Sequence, residues 1–190
     1  MAKARRTKVK DKWKGKEWYE VITPKLFDNA VIGETLTVDP STLVGRVMET
    51  SLIDLGGDGR KYYVKFFFKI DKIEGNRALT VLNGHDTTRD FIARIVNIRT
   101  SRVDTNSIIK LKDGKMNVKT ITICNRQVKA QIKKNVRDMV LNLVKGECEK
   151  LTIDEFVKEM VSDKIQKKIK SQVNKIYPIR YFEFTKTKIL

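Results

Sequence analysis

Sulfur and imidazole are scarce in this chain. Its 190 residues include two cysteines, Cys124 and Cys148, too few for a disulfide framework and consistent with a reducing compartment. The single histidine, His85, leaves no ligand set for zinc. No apolar run approaches the roughly 20 residues that cross a bilayer. The basic start is not followed by the apolar run of a secretory signal. Acidic residues are nearly missing from both ends: residues 1–16 carry Asp11 against eight cations, and residues 164–190 carry Glu183 against eight.

The positive charge is therefore concentrated. Of a net +17, each end contributes +7, while residues 17–163, with 24 basic and 21 acidic residues, contribute +3. Two cationic ends on a nearly neutral body suit a long polyanion, most simply nucleic acid. An anionic membrane surface is a weaker fit, because the first residues lack the bulky apolar face of a membrane-surface helix. Beyond Val9 and Trp13, residues 1–16 have little to bury. They are expected to be disordered alone and to order as phosphates replace water around each cation. A solvated tail is the plainer alternative. The body, 17–190, is expected to be one domain, its core drawn from a chain that is 41% hydrophobic.

Period-two patterning dominates residues 17–124. Trp18 to Thr23 alternates up to Pro24, and Leu36–Val38 and Gly45–Leu55 are further strand candidates. Lys61 to Ile73 gives the strongest signal. Tyr62, Val64, Phe66, Phe68 and Ile70 are set on one face, with Lys65 and Lys69 interleaved. Arg77 to Gly84 returns as a strand with Leu79 and Val81 inside. A short helix with Phe91, Ile92 and Ile95 follows Thr88. From about Thr100 a long strand buries Ile108, Ile109 and Leu111. Asp113-Gly114 turns it into a partner that buries Ile121 and Ile123.

The period then lengthens. Residues 125–176 are read as helical; in the first helix Val128, Ile132, Val136, Met139, Val140 and Leu143 share one face, and Gly146 is expected to end it. Thr152 and Glu155 form a capping box for the next. Ser162 is placed as the cap of a third helix, which buries Ile165, Ile169, Val173 and Ile176 and exposes Lys164, Lys167, Lys168 and Lys170. Residues 177–190 alternate again, with Phe182 and Phe184 inward, and are expected to return to the first sheet and hide its edges. The fold predicted is α+β: an antiparallel β-barrel or strongly curled sheet flanked by three or four helices, after the basic arm.

Catalytic motifs find little support. Gly56-Gly57-Asp58-Gly59 lacks the Gly-Lys-Ser/Thr and the helix of a phosphate loop, and reads as a hairpin tip. His85-Asp86 could suggest a base and its orienter, but neighbours on a strand point apart and no nucleophile is marked out. A structural or RNA-contacting histidine fits better. Phe66 and Phe68 are assigned to the core rather than to a base-stacking platform. An RNA-processing enzyme would need a cofactor pocket or metal carboxylates that the pattern does not offer. A free-standing RNA- or DNA-binding regulator without catalysis remains the alternative to a structural role.

Several segments together carry a resemblance. They are Lys16-Glu17-Trp18-Tyr19-Glu20-Val21 with Pro24 and Phe27, then Ile32-Gly33-Glu34-Thr35-Leu36. Gly45-Arg46-Val47, Ser51-Leu52-Ile53-Asp54-Leu55, Gly84-His85-Asp86-Thr87-Thr88-Arg89-Asp90 and Ile176-Tyr177-Pro178-Ile179 follow in order. They resemble the archaeal and eukaryotic small-subunit ribosomal protein family S-three-A-e, the eukaryotic-type S-one protein. The resemblance implies a non-enzymatic constituent of the small ribosomal subunit, cytoplasmic and without cofactor, with a barrel-like β core. It implies a place on the platform near the mRNA exit, with the 3′ region of the small-subunit rRNA, neighbouring ribosomal proteins and mRNA as partners, and no membrane. Eukaryotic members have further residues near Arg126-Gln127 and beyond the equivalent of Leu190, so this chain resembles an archaeal, 30S-type member.

On that reading the rRNA contacts are expected at Lys3, Arg5, Arg6, Lys8, Lys10, Lys12, Trp13, Lys14 and Lys16 in the arm. His85 and Arg89 are expected in the central motif, and Lys164, Lys167, Lys168, Lys170, Arg180, Lys186 and Lys188 near the C-terminus. Trp13 is read either as stacking on a base or sugar or as packing against the body.

Overall fold

The computed structural model describes residues 13–190. Eight strands lie among them: β1 (Glu17–Ile22), β2 (Val31–Thr37), β3 (Val47–Ser51), β4 (Val64–Glu74), β5 (Arg77–Thr87), β6 (Ser101–Lys110), β7 (Lys115–Cys124) and β8 (Ile179–Ile189). Four α-helices join them: α1 (Arg89–Ile95), α2 (Ala130–Cys148), α3 (Ile153–Val161) and α4 (Lys164–Val173). The fold is α+β.

All eight strands belong to one sheet, and β5 is its hub. One edge of β5 pairs along nearly its whole length with β4, which carries β3 on its far side. The other edge is shared. Arg77–Leu79 pairs with β1, and Gly84–Asp86 pairs with β8. From there the sheet runs outward as β1–β2 and as β8–β7–β6. Two expectations are corrected here. The β1–β5 ladder is parallel, so the sheet is mixed rather than antiparallel. Among the described residues the ladders do not close into a barrel either: β2, β3 and β6 each pair there with a single strand. The return of β8 joins the two halves of the sheet without removing its edges.

One layer of helices covers one face. Phe66, Phe68, Phe182 and Phe184 point into it and meet Val136, Val140 and Val144 of α2, Phe156 and Met160 of α3, and Ile165 and Ile169 of α4. Burying side chains of this size contributes about 1.5–3 kcal/mol each, so this layer holds the protein together. The Phe66–Phe68 assignment to the core stands, since both are fully buried. A smaller cluster, Tyr19, Val21, Leu43, Ile70 and Ala78, ties β1 to β4 and β5. On the opposite side of β7, Ile121 and Ile123 pack under Ile95 of α1. β7 is thus buried on both faces, which is why Thr120 and Thr122 are buried as well.

Local rules succeed where no irregularity intervenes. Thr152 and Glu155 form the expected reciprocal cap of α3. Gly146 does not end α2, which continues to Cys148 and buries that thiol under the sheet. Asp163, in the left-handed region at φ 59°, occupies the position expected for Ser162 before α4. Irregular pairing between Phe67 and Phe68 and between Ile70 and Lys72 moves residues to the other face of the β4–β5 hairpin. Val81 is consequently exposed while Ala78 and Thr80 are inside. Ile108 and Ile176, expected in the core, are exposed too, and Tyr62 lies outside with its hydroxyl bonded to Arg94.

Candidate nucleic-acid interface

The face of the sheet turned away from α2, α3 and α4 is built by simple alternation. Phe66, His85, Thr187 and Val118 lie side by side on adjacent strands and are buried. One residue along each strand, the opposite face presents Lys65, Asp86, Lys186 and Lys119, also in register and continued by Asn106 on β6. Neighbouring strands are about 4.8 Å apart, so three lysines are set into one short row. Lys186 Nζ lies 3.0 Å from the Asp86 carboxylate, and Lys65 Nζ lies 3.0 Å from Glu49. Lys119 stands directly opposite Lys186 on the neighbouring strand. Lys188 lies two residues on, exposed, opposite Gly84 and Asn117.

The Gly84–Asp90 motif organises this region. A Cβ at Gly84 would lie 2.1 Å from Thr187 O, so only glycine allows β5 and β8 this close. His85 points inward. Its Nδ1 is 2.7 Å from Thr187 Oγ1 and its Nε2 is 3.2 Å from Phe184 O. The Thr87 hydroxyl donates to that same carbonyl at 3.0 Å. His85 is 2% exposed, and burial pushes its pKa down to about 4. The expectation that His85 touches RNA is therefore corrected: it is a neutral hydrogen-bonding post between β5 and β8. The motif then leads into α1, where Arg89 is exposed.

Arg89 opens onto a cleft of about 420 Å³ between α1 and strands β6, β7 and β8. Arg102, Lys119 and Lys186 are its other cations, Asp86 and Asp104 its carboxylates, and Ile92 its apolar wall. Arg102 Nε lies 2.8 and 2.9 Å from the two oxygens of Asp104. No ion pair engages Arg89 or Lys119 among the described residues.

The remaining predicted residues fall elsewhere. Lys3, Arg5, Arg6, Lys8, Lys10 and Lys12 lie outside the described residues. Trp13 is 67% exposed, with the Lys16 ammonium 4.7 Å above its ring, and Lys14 is exposed beside them. Lys164 and Lys167 form an exposed edge of α4, and Lys168 pairs with Glu147 of α2. Lys170 is partly buried. Its Nζ donates to Arg180 O at 2.7 Å, fastening α4 to the start of β8. The Arg180 side chain lies over the Tyr181 ring and lines a separate hollow with Ile98 and Arg99. The fold thus brings Arg89 and Lys186 together in one cleft, sets Lys188 two residues along the same strand outside it, and leaves the α4 lysines on the helical layer. Arg102 and Lys119, which complete the cleft, are absent from the sequence-based set. The signal that could have found Lys119 is its place between the inward residues Val118 and Thr120.

Beneath this surface a buried polar group joins sheet to helices. Lys61, 8% exposed, pairs with Asp163 and donates to Met160 O at 3.2 Å. Glu183 sits beside them, and burial, reinforced by the Asp163 carboxylate, pushes its pKa up to about 7. Both cysteines are buried thiols. Burial raises the pKa of Cys124 and takes that of Cys148 up to about 12, which keeps them unreactive.

Comparison with known proteins adds the lineage. Residues 4–190 match the family model described as the Ribosomal S3Ae family. The chain is 39% identical over 191 residues to a small ribosomal subunit protein eS1 of Desulfurococcus amylolyticus, covering all of this chain and 90% of that protein. It is 36% identical over 192 residues to the protein of that name from Methanobrevibacter smithii, covering both in full. To that of Methanothermobacter thermautotrophicus it is 38% identical, covering 98% of that protein.

Proposed function

The chain belongs to the ribosomal S3Ae family, and from that premise we propose that it is a structural constituent of the small ribosomal subunit in archaeal-type translation. The family is a structural one, so no catalytic turnover is assigned, and its setting is the ribosome in the cytoplasm. The protein docks on small-subunit rRNA through its cationic extremities and through the lysine-bearing sheet face, near the platform and the mRNA exit. The rRNA 3′ region, adjacent ribosomal proteins and mRNA at the exit are its partners there.

The observation that carries this reading beyond family membership is the charge layout. Residues 1–16 and 164–190 hold +14 of the net +17. Phosphate contacts position a protein on RNA through this kind of charge, while shape sets the register. The arm lysines and arginines follow phosphates into places the folded body does not enter.

The test is removal of residues 1–16 and measurement of rRNA affinity against salt. Neutralising up to seven phosphates contributes a slope of roughly 5 in log affinity against log salt. The truncated protein is expected to lose most of that increment and to sediment with small subunits less completely. An unchanged slope rejects the arm as the binding element.

A further inference from the structure

We propose that the cleft between α1 and strands β6, β7 and β8 receives one unpaired nucleotide of single-stranded RNA, its phosphate held by Arg89 and Lys119. This rests on the rRNA-docking reading above and assigns it a specific subsite. Charge is the first argument. Among the described residues the cleft holds four cations and two carboxylates. Each carboxylate is already engaged by a cation of the same cleft, Asp104 by Arg102 and Asp86 by Lys186. What remains is a local surplus at Arg89 and Lys119, for which the described residues supply no ion pair.

Register is the second argument. Lys119 and Lys186 are directly cross-strand neighbours. Like charges in that relation destabilise a sheet, and Asp86 compensates one of them. Lys119 has no ion pair among the described residues to compensate it in the same way. A departure from local consistency of this kind is characteristic of a binding site, and an anion between the two strands offsets the repulsion.

Size and lining are the third. About 420 Å³ is within the range of small-ligand pockets and suits a single nucleotide. Thr105 and Thr120 are bonded to one another at 2.5 Å within the sheet that backs the cleft. Ile92 gives an apolar surface for a sugar or base, and the exposed Asn106 amide stands at the rim for a base edge. A paired nucleotide in an A-form helix keeps its base inside the stack and cannot enter; unpaired loop and bulge nucleotides can.

The test uses the full-length protein and a transcript of the 3′ domain of small-subunit rRNA as probe. Chemical reactivity is read at each nucleotide, and affinity is titrated against salt. Arg89→Gln/Lys119→Gln removes the two charges from exposed positions, and Lys145→Gln/Lys150→Gln, also exposed, removes two from the helical layer. Wild-type protein is expected to shield at least one unpaired nucleotide. The cleft variant is expected to re-expose it, with the salt slope lower by about 1, while the helical-layer variant keeps the shielding. A footprint identical in the cleft variant and wild type overturns the assignment. So does cross-linking of the cleft to a protein neighbour instead of RNA in assembled subunits. A wild type that neither binds the transcript nor sediments with subunits overturns the docking reading as well. One that does both while its footprint ignores the cleft variant overturns the cleft alone.

Discussion

Gly84→Ala tests the joint on which the candidate interface is mounted. The added Cβ would fall 2.1 Å from Thr187 O, 3.0 Å from Thr187 C and 3.1 Å from Lys188 Cα, whereas real Cβ contacts stay above 3.0 Å. All three atoms are backbone, so no side chain can swing away. β5 and β8 must part by about 1 Å at Gly84↔Lys188, the end of a ladder only three residue pairs long. Overpacking of this kind costs about 1–3 kcal/mol. The same displacement stretches two buried hydrogen bonds of His85 to Thr187 Oγ1, at 2.7 and 3.2 Å, each worth about 1 kcal/mol. The sum, about 3–5 kcal/mol, is a large part of the 5–15 kcal/mol available to a typical domain. Urea unfolding should show a much lower midpoint with unchanged slope, and Tm should fall by roughly 10 °C at this chain length. Gly59→Ala is the control: no atom lies within 4 Å of its Cβ and its φ is not positive, so it should stay within about 0.5 kcal/mol of wild type. If Gly84→Ala loses less than about 1 kcal/mol, the close approach of the two strands is not a structural requirement and the reasoning fails.

Glu183→Gln should stabilise the protein in alkali and leave it unchanged in acid. The Glu183 pKa is raised to about 7, so the unfolded chain loses its proton first and folding is penalised by up to about 3 kcal/mol as pH rises from about 4.5 through 7. His85, lowered to about 4, acts oppositely, removing a similar amount as pH falls from about 6.5 through 4. The two nearly cancel in wild type over that window, and Glu183→Gln should expose the His85 slope; superimposable urea midpoints for the two proteins between pH 4.5 and 8 would refute this. Thr152→Ala removes the acceptor for Glu155 N from the α3 capping box and should cost about 1 kcal/mol in urea unfolding, with Thr152→Ser close to wild type.

Much of the fold could be read from local pattern. Phe66 and Phe68 alternate with lysines and are core, the α2 face with Val136 and Val140 is buried, and Thr152 with Glu155 caps α3. The charge layout and the ordered motifs were enough to reach the family. Readings failed where one extra residue in a ladder reverses every side chain beyond it, as at Val81 after the irregular pairings of β4 and β5. His85 was ambiguous because burial of a polar ring depends on partners a hundred residues away, Phe184 and Thr187.

Composition and periodicity are local properties, and they determined most of the strands, the helical faces and the cationic ends. Which lysine stands beside which is not local. The parallel contact of β1 with β5, the open sheet, and the meeting of Arg89, Arg102, Lys119 and Lys186 around one cleft arise only when β8 pairs with both β5 and β7. Strand pairing sums weak contacts between residues far apart in the chain, so the register that places these charges exists only in the assembled sheet.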